Sequence, residues 1–151
     1  MKRSTLIIRV VAGLLVGTSV LKLLDLADAG RHPYFSERDP LFSCLSNLQV
    51  VLAAALFELG IAAAILTRKS GNMRALVLLW FSGIVSMYKL GLTIGPGVER
   101  PCSCLGVLGR VSGLSHAQLD LVTWGLLLFL TAAALFIVLA DRAEAARTMT
   151  K

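Results

Sequence analysis

Residues 41–67, LFSCLSNLQVVLAAALFELGIAAAILT, carry one formal charge, Glu58, and end at the basic turn Arg68-Lys69-Ser70-Gly71-Asn72. In hydrocarbon, backbone N–H and C=O groups must be satisfied without water, and a helix does this within its own segment. At 1.5 Å per residue such a run reaches about 40 Å, more than the ~30 Å hydrocarbon core of a bilayer. Strands of a membrane barrel alternate apolar and polar positions over about 10 residues, and this run does not. It reads as a transmembrane helix.

Three further runs flank it. Ser4 to Leu26 follows the positive start Met1-Lys2-Arg3. A signal peptide opens in this way, but the run exceeds the usual apolar core of about 7–15 residues, and no convincing small-x-small cleavage site ends it. It is kept as helix 1, over about 4–29, with Gly30 as its C-cap. Helix 2 covers 41–67, with Asp39-Pro40 expected as N-cap and first helical residue. Helix 3 covers 73–93 and stops at Gly95-Pro96-Gly97. Helix 4 covers 115–140, opened by a capping box of Ser115 and Gln118. DRAEAARTMTK then follows as a short polar tail. The outer segments are 30–40 and 94–114, and residues 1–151 form a single integral membrane domain.

The bulk composition agrees. The 151 residues are 56% hydrophobic and only 16% charged, with a mean hydropathy of +0.78. That is too little polar surface for a soluble domain of this length. The net charge of +6 lies beside the apolar runs and forms no stripe for nucleic acid, so it is read as a topology signal. Lys2, Arg3, Arg9, Arg68, Lys69, Arg74, Arg142, Arg147 and Lys151 fall on one side, and Arg31, Arg38, Arg100 and Arg110 on the other. The richer side is expected in the cytoplasm. The expected fold is therefore an all-α, up-down bundle of four transmembrane helices, multi-pass in a bacterial inner membrane, with both termini cytoplasmic.

Small residues offer packing faces: Gly13 with Gly17, Ser82 with Ser86, and Ala53 to Ala55. Trp80, Trp124, Tyr88 and Met87 read as lipid-facing or packing residues. Glu58 lies near the middle of helix 2, where a lone carboxylate is costly and should face the bundle. Lys22 and Lys89 lie towards the outer ends of helices 1 and 3, from where either can snorkel outwards or reach down to Glu58. His116 and Asp120 are spaced for an i,i+4 pair, with a helix-start electrostatic role as the simpler reading of Asp120.

Cys102 and Cys104 stand in PCSCLG, residues 101–106, in the outer segment. Cys44 is expected in the first turn of helix 2, near the same face. An oxidising compartment permits disulfides, and a strained Cys-x-Cys ring is readily reduced. The three thiols can form a relay or a structural disulfide, or they can stay unpaired. His32 and His116 share that side, but no metal-ligand spacing stands out.

Four apolar helices, RVVAGLLVGTSVLKLLD at residues 9–25, Glu58 and PCSCLG together resemble the MauE branch of the DoxX-like membrane proteins, over about residues 8–140. The resemblance implies periplasmic thiol redox with a thioredoxin-fold partner, in a family associated with methylamine utilisation. Cys102, Cys104 and Gly106 match its cysteine-glycine motif, Lys22 its helix-1 lysine and Glu58 its helix-2 acid. Leu105 stands where the family usually has an aromatic, and Cys44 and the long 95–115 segment also depart from the pattern. The expected activity is disulfide exchange through Cys102, Cys104 and Cys44 with a periplasmic thioredoxin-like protein. A quinone within the bundle, its head near Lys22, Glu58 or Lys89, would exchange electrons. The alternative is a non-catalytic accessory subunit of a larger membrane complex, with the cysteines holding a structural disulfide. A transporter is the weaker reading, since four helices with one buried acid give little pathway.

Overall fold

The computed structural model describes residues 2–31, 33–68, 70–94 and 115–149. Among the described residues four α-helices make up the bundle: α1 (Lys2–Ala27), α2 (Asn47–Thr67), α3 (Gly71–Ile94) and α4 (His116–Met149). Each contains a span long and apolar enough to cross a membrane: Thr5–Ala27, Asn47–Thr67, Gly71–Ile94 and Ala117–Ala140. Among the described residues there is no strand, only an isolated bridge between Arg38 and Ser46. The chain is a multi-pass membrane protein whose described elements are helical.

The helix ends depart from expectation in three places. Helix α1 stops at Ala27, and Ala29–Arg31 forms a 3₁₀ turn that takes in Gly30, so Gly30 does not cap α1. A second 3₁₀ turn, Pro33–Ser36, follows. Helix α2 begins six residues later than the apolar run, at Asn47, because Ser46-x-x-Gln49 wins the cap from Asp39-Pro40. The Gln49 N–H donates to Ser46 Oγ (3.3 Å), and the Ser46 N–H donates to Gln49 Oε1 (2.9 Å). That reciprocal box satisfies two orphan amide donors at once. Asp39 turns the chain instead: its Oδ1 accepts from the N–H groups of Leu41 (2.9 Å) and Phe42 (2.8 Å). Two backbone bonds, Asp39 N–H to Leu45 O and Asn47 N–H to Glu37 O, close the resulting loop. Helix α4 runs on to Met149, so most of the polar tail is helical. A helix satisfies its own backbone in water as well as in lipid, and this stretch holds good helix formers. The Ser115–Gln118 box is formed as expected, with 2.9 Å from Ser115 N–H to Gln118 Oε1.

The bundle is two antiparallel hairpins packed together. Ser19 Oγ donates to Ala55 O (2.8 Å) between α1 and α2, and Thr131 Oγ1 donates to Ser82 Oγ (3.3 Å) between α3 and α4. An apolar core closes the half nearer the start of α1, built from Val11 and Leu15, Ile61 and Ile65, Leu78 and Phe81, and Leu130 and Ile137. The other half buries polar groups, among them Lys22, Asn47, Lys89 and Thr123. Outward faces are mainly apolar, as lipid contact requires; Trp80 is 62% exposed and Met87 72%. Gly13 and Gly17 lie on such a face, and a Cβ on either meets no atom within 4 Å. They form no helix–helix contact, whereas Ala55 and Ser82 do lie at helix–helix contacts.

Candidate functional site: a buried ion pair on an apolar cleft

Helix α2 packs mainly on α1, and α3 mainly on α4, so α2 and α3 are left to diverge. Between them opens a cleft of about 1120 Å³, walled by residues of α2, α3 and the 39–45 loop, with Lys22 of α1 and Tyr34. Its lining is largely apolar and rich in aromatic rings, including Phe42, Phe57, Trp80, Phe81 and Tyr88. The exposure of Trp80, Ile84 and Met87 at its rim shows that it opens sideways, towards lipid.

The cleft's polar side chains include two bonded sets, besides Asn47, whose Nδ2–H donates to Tyr34 O at 2.9 Å. In the first, Lys22 Nζ lies 2.7 Å from Glu58 Oε1 and 2.8 Å from Oε2. The side chains are only 5% and 11% exposed. Thr18 Oγ1 adds a bond of 3.1 Å to Oε2. Helix geometry explains the meeting. Every Cα–Cβ bond leans towards its own helix N-terminus, and α1 and α2 run antiparallel. Lys22 therefore leans deeper into the bundle while Glu58 leans towards the loops, and the two converge. The pair has no net charge, wherever its proton sits. Lys22 has three N–H donors and spends two of them on Glu58.

In the second set, Tyr88 O–H donates to Asp39 Oδ2 at 2.6 Å, and its ring stacks on Phe42 with 6.0 Å between centroids. These contacts fasten the 39–45 loop to α3 over one end of the cleft. Gly91 makes room for the fastening: a Cβ there would come within 3.0 Å of Leu41 Cδ1.

Lys89 belongs elsewhere. It is 1% exposed, between α3 and α4, with Nζ 3.0 Å from Asp120 Oδ1 and 3.1 Å from Asp120 O. Trp124 covers it, 5.3 Å from Nζ to the ring centroid. Asp120 thus takes Lys89 as a partner from another helix; the His116 side chain lies outside the described residues. Lys89 does not line the cleft, so the structure brings Lys22 and Glu58 together there and leaves Lys89 out. Asp39, Tyr88 and Trp124 were not read as site residues from sequence. Only Asp39 carried a local signal, since Asp before Pro commonly opens an Asx turn.

Cys44 is exposed, and it sits in the loop before α2 and not in its first turn. Its neighbours Phe42 and Leu45 line the cleft, and Cys44 itself does not. Cys102 and Cys104 lie outside the described residues, as does His32. The described residues that flank their segment, Ile94 and Ser115, end α3 and precede α4 at the same end of the bundle as Cys44.

Fold and site together define a four-helix multi-pass membrane protein with a buried acid–base pair opening onto a lipid-facing cleft. Compared with known families, with characterised proteins and with solved structures, the chain has no match.

Proposed function

We propose that the chain is a thiol–disulfide exchange protein of the bacterial cytoplasmic membrane, of the MauE kind, serving a periplasmic thioredoxin-like partner. The observation that carries this reading is the exposed Cys44, at the end of the bundle where Ile94 and Ser115 flank the segment of Cys102 and Cys104. All three thiols then work from one side. The charge asymmetry of the chain supports that side as the periplasm, with both termini in the cytoplasm.

A partner thiolate attacks one sulfur of a Cys102–Cys104 disulfide. The S–S bond breaks, a mixed disulfide forms, and the second cysteine leaves as thiolate. The partner's other thiolate then attacks its own sulfur in the mixed disulfide. The partner leaves oxidised, and Cys102 and Cys104 are left reduced with its two electrons. Cys44 exchanges with the oxidised pair by the same attack, moving the disulfide between the outer segment and the loop before α2 without net electron transfer. Run backwards, the same steps reduce the partner.

The test is trapping in membranes. With Cys102→Ser or Cys104→Ser, the remaining thiol of one variant holds the partner as an adduct on a non-reducing gel, and dithiothreitol releases it. The double variant shows none. Absence of an adduct from both single variants, with the proteins folded and inserted, refutes exchange.

A further inference from the structure

We infer that Asp39 is the positioning residue for Cys44. Its one buried carboxylate sets the turn that presents the thiol and pins that turn to α3, the helix from which the chain runs on to Cys102 and Cys104. The inference rests on the proposed exchange role of Cys44 and adds what holds that thiol in place.

The hydrogen bonds of the loop show where it is fixed. From 39 to 47, the N–H groups of Asp39, Leu41, Phe42, Leu45, Ser46 and Asn47 all meet acceptors. Pro40 has no N–H, so within this described stretch only those of Ser43 and Cys44 are left over. Leu45 N–H donates to Phe42 O at 2.7 Å, which makes Phe42–Leu45 a β-turn with the exposed Cys44 in its third place. A loop bonded on both sides of its thiol leaves that thiol few places to go.

Asp39 is the centre of this order. It is 2% exposed. Its Oδ1 holds the Leu41 and Phe42 amides, and its Oδ2 takes the Tyr88 hydroxyl at 2.6 Å. Burying a carboxylate is costly, and the start of α2 does not require it, since Ser46 and Gln49 cap that helix by themselves. What the carboxylate fixes is the Cys44 turn against α3. Tyr88 stands six residues before Ile94, about 9 Å along the helix, and the sequence continues from Ile94 to PCSCLG. Cys44 is thereby tied to the helix from which the other two cysteines depart. In the exchange step the Cys44 thiolate attacks one sulfur of the Cys102–Cys104 disulfide. A new S–S bond forms and the other cysteine leaves as thiolate. For groups on one chain, the effective concentration of that attack depends on how narrowly each is held.

The experiment uses full-length Cys102→Ser and Cys104→Ser proteins in phosphatidylcholine nanodiscs, each keeping Cys44 and one outer cysteine. Equilibration with reduced and oxidised glutathione, read by gel shift with maleimide-polyethylene glycol, gives the effective concentration of the disulfide that Cys44 forms. Asp39→Ala should lower it about tenfold, while maleimide labelling of reduced Cys44 rises. Asp39→Asn should stay within about twofold, because its Oδ1 can hold the turn and its Nδ2–H can donate to the Tyr88 oxygen. Tyr88→Phe keeps the turn and loses the pin, and should lower it about threefold. Ser46→Ala controls for general loosening: it frees the first turn of α2 without touching Asp39, and should change it less than about twofold. If Asp39→Ala does not insert, Tyr88→Phe decides alone. Values for Asp39→Ala and Tyr88→Phe within about twofold of the parent overturn the inference and leave exchange standing. So does a Ser46→Ala loss equal to that of Asp39→Ala, or no rescue by Asp39→Asn. Absence of a Cys44 disulfide from both proteins with Asp39 intact removes Cys44 from the relay and overturns the inference with it.

Discussion

Removing Lys22 strands Glu58, and the cost can be bounded from where each group lies. In Lys22→Met the carboxylate loses the ammonium within 2.8 Å of both its oxygens and keeps only Thr18. It cannot reach water easily, since α2 carries it about 16 Å beyond Asn47 at 1.5 Å per residue. It can escape by taking a proton. For an ordinary carboxyl of pKa about 4.3 at pH 7, that costs about 3.7 kcal/mol, at about 1.36 kcal/mol per pH unit. The expected loss is therefore about 3–4 kcal/mol, within the range of about 3–5 for buried pairs that lose one member. Glu58→Leu should cost less, about 2 kcal/mol or below, because Lys22 is only about 8 Å of helix from Ala27 and its long stem lets the ammonium snorkel outwards. The double variant Lys22→Met, Glu58→Leu leaves no charge behind and should fall within about 1 kcal/mol of the parent protein. Equilibrium unfolding at pH 7 in mixed dodecylmaltoside and dodecylsulfate micelles, followed by far-UV circular dichroism, measures all three. The cycle should yield a coupling of about 4 kcal/mol. A Lys22→Met loss below about 1 kcal/mol, or a double variant no more stable than Lys22→Met, refutes the reasoning, because a pair shielded from water cannot behave so.

Asp39→Ala removes the acceptor of Tyr88 and of two turn amides. It should speed maleimide labelling of Cys44 and hydrogen exchange at Leu41 and Phe42, while Tyr88→Phe costs about 1 kcal/mol. Ser46→Ala should cost about 1 kcal/mol by freeing the first turn of α2, and nuclear magnetic resonance should show fraying at Asn47 to Gln49. Gly17→Leu should stay within about 0.5 kcal/mol. By contrast Ala134→Leu, at a position with no exposed surface, should cost about 1–3 kcal/mol by overpacking. Between α3 and α4, Asp120→Asn should cost less than about 1 kcal/mol because that carboxylate is 45% exposed. Lys89→Met should cost more, through lost contacts with Trp124 and the lost ion pair with Asp120.

The four spans and their number were legible in the chain itself. Each is a run in which hydrocarbon leaves the backbone no alternative to a helix, and that constraint is local and strong. The Ser115–Gln118 cap was legible for the same reason, since it acts over a single turn. Ahead of α2, however, the expected cap was Asp39-Pro40, and the Ser46-x-x-Gln49 box that forms it went unread. The loop that Asp39 closes with Leu41, Phe42, Leu45 and Tyr88 decided between them, and carried Cys44 out of the helix as it did so.

Partnership among the charges belonged to the tertiary structure. Sequence placed Lys22, Lys89 and Glu58 inside apolar runs and required that each find company, because an isolated charge in lipid is costly. It offered Glu58 two lysines with nothing to choose between them. The choice followed from which helix packs on which: α1 against α2 sends Lys22 to Glu58, and α3 against α4 sends Lys89 to Asp120 and Trp124. The cleft has the same origin, as the space left where two hairpins meet only along one half. A one-dimensional pattern tells how greasy each helix is. Which faces touch is set by side-chain shape across helices far apart in the chain, and that is visible only once they are folded together.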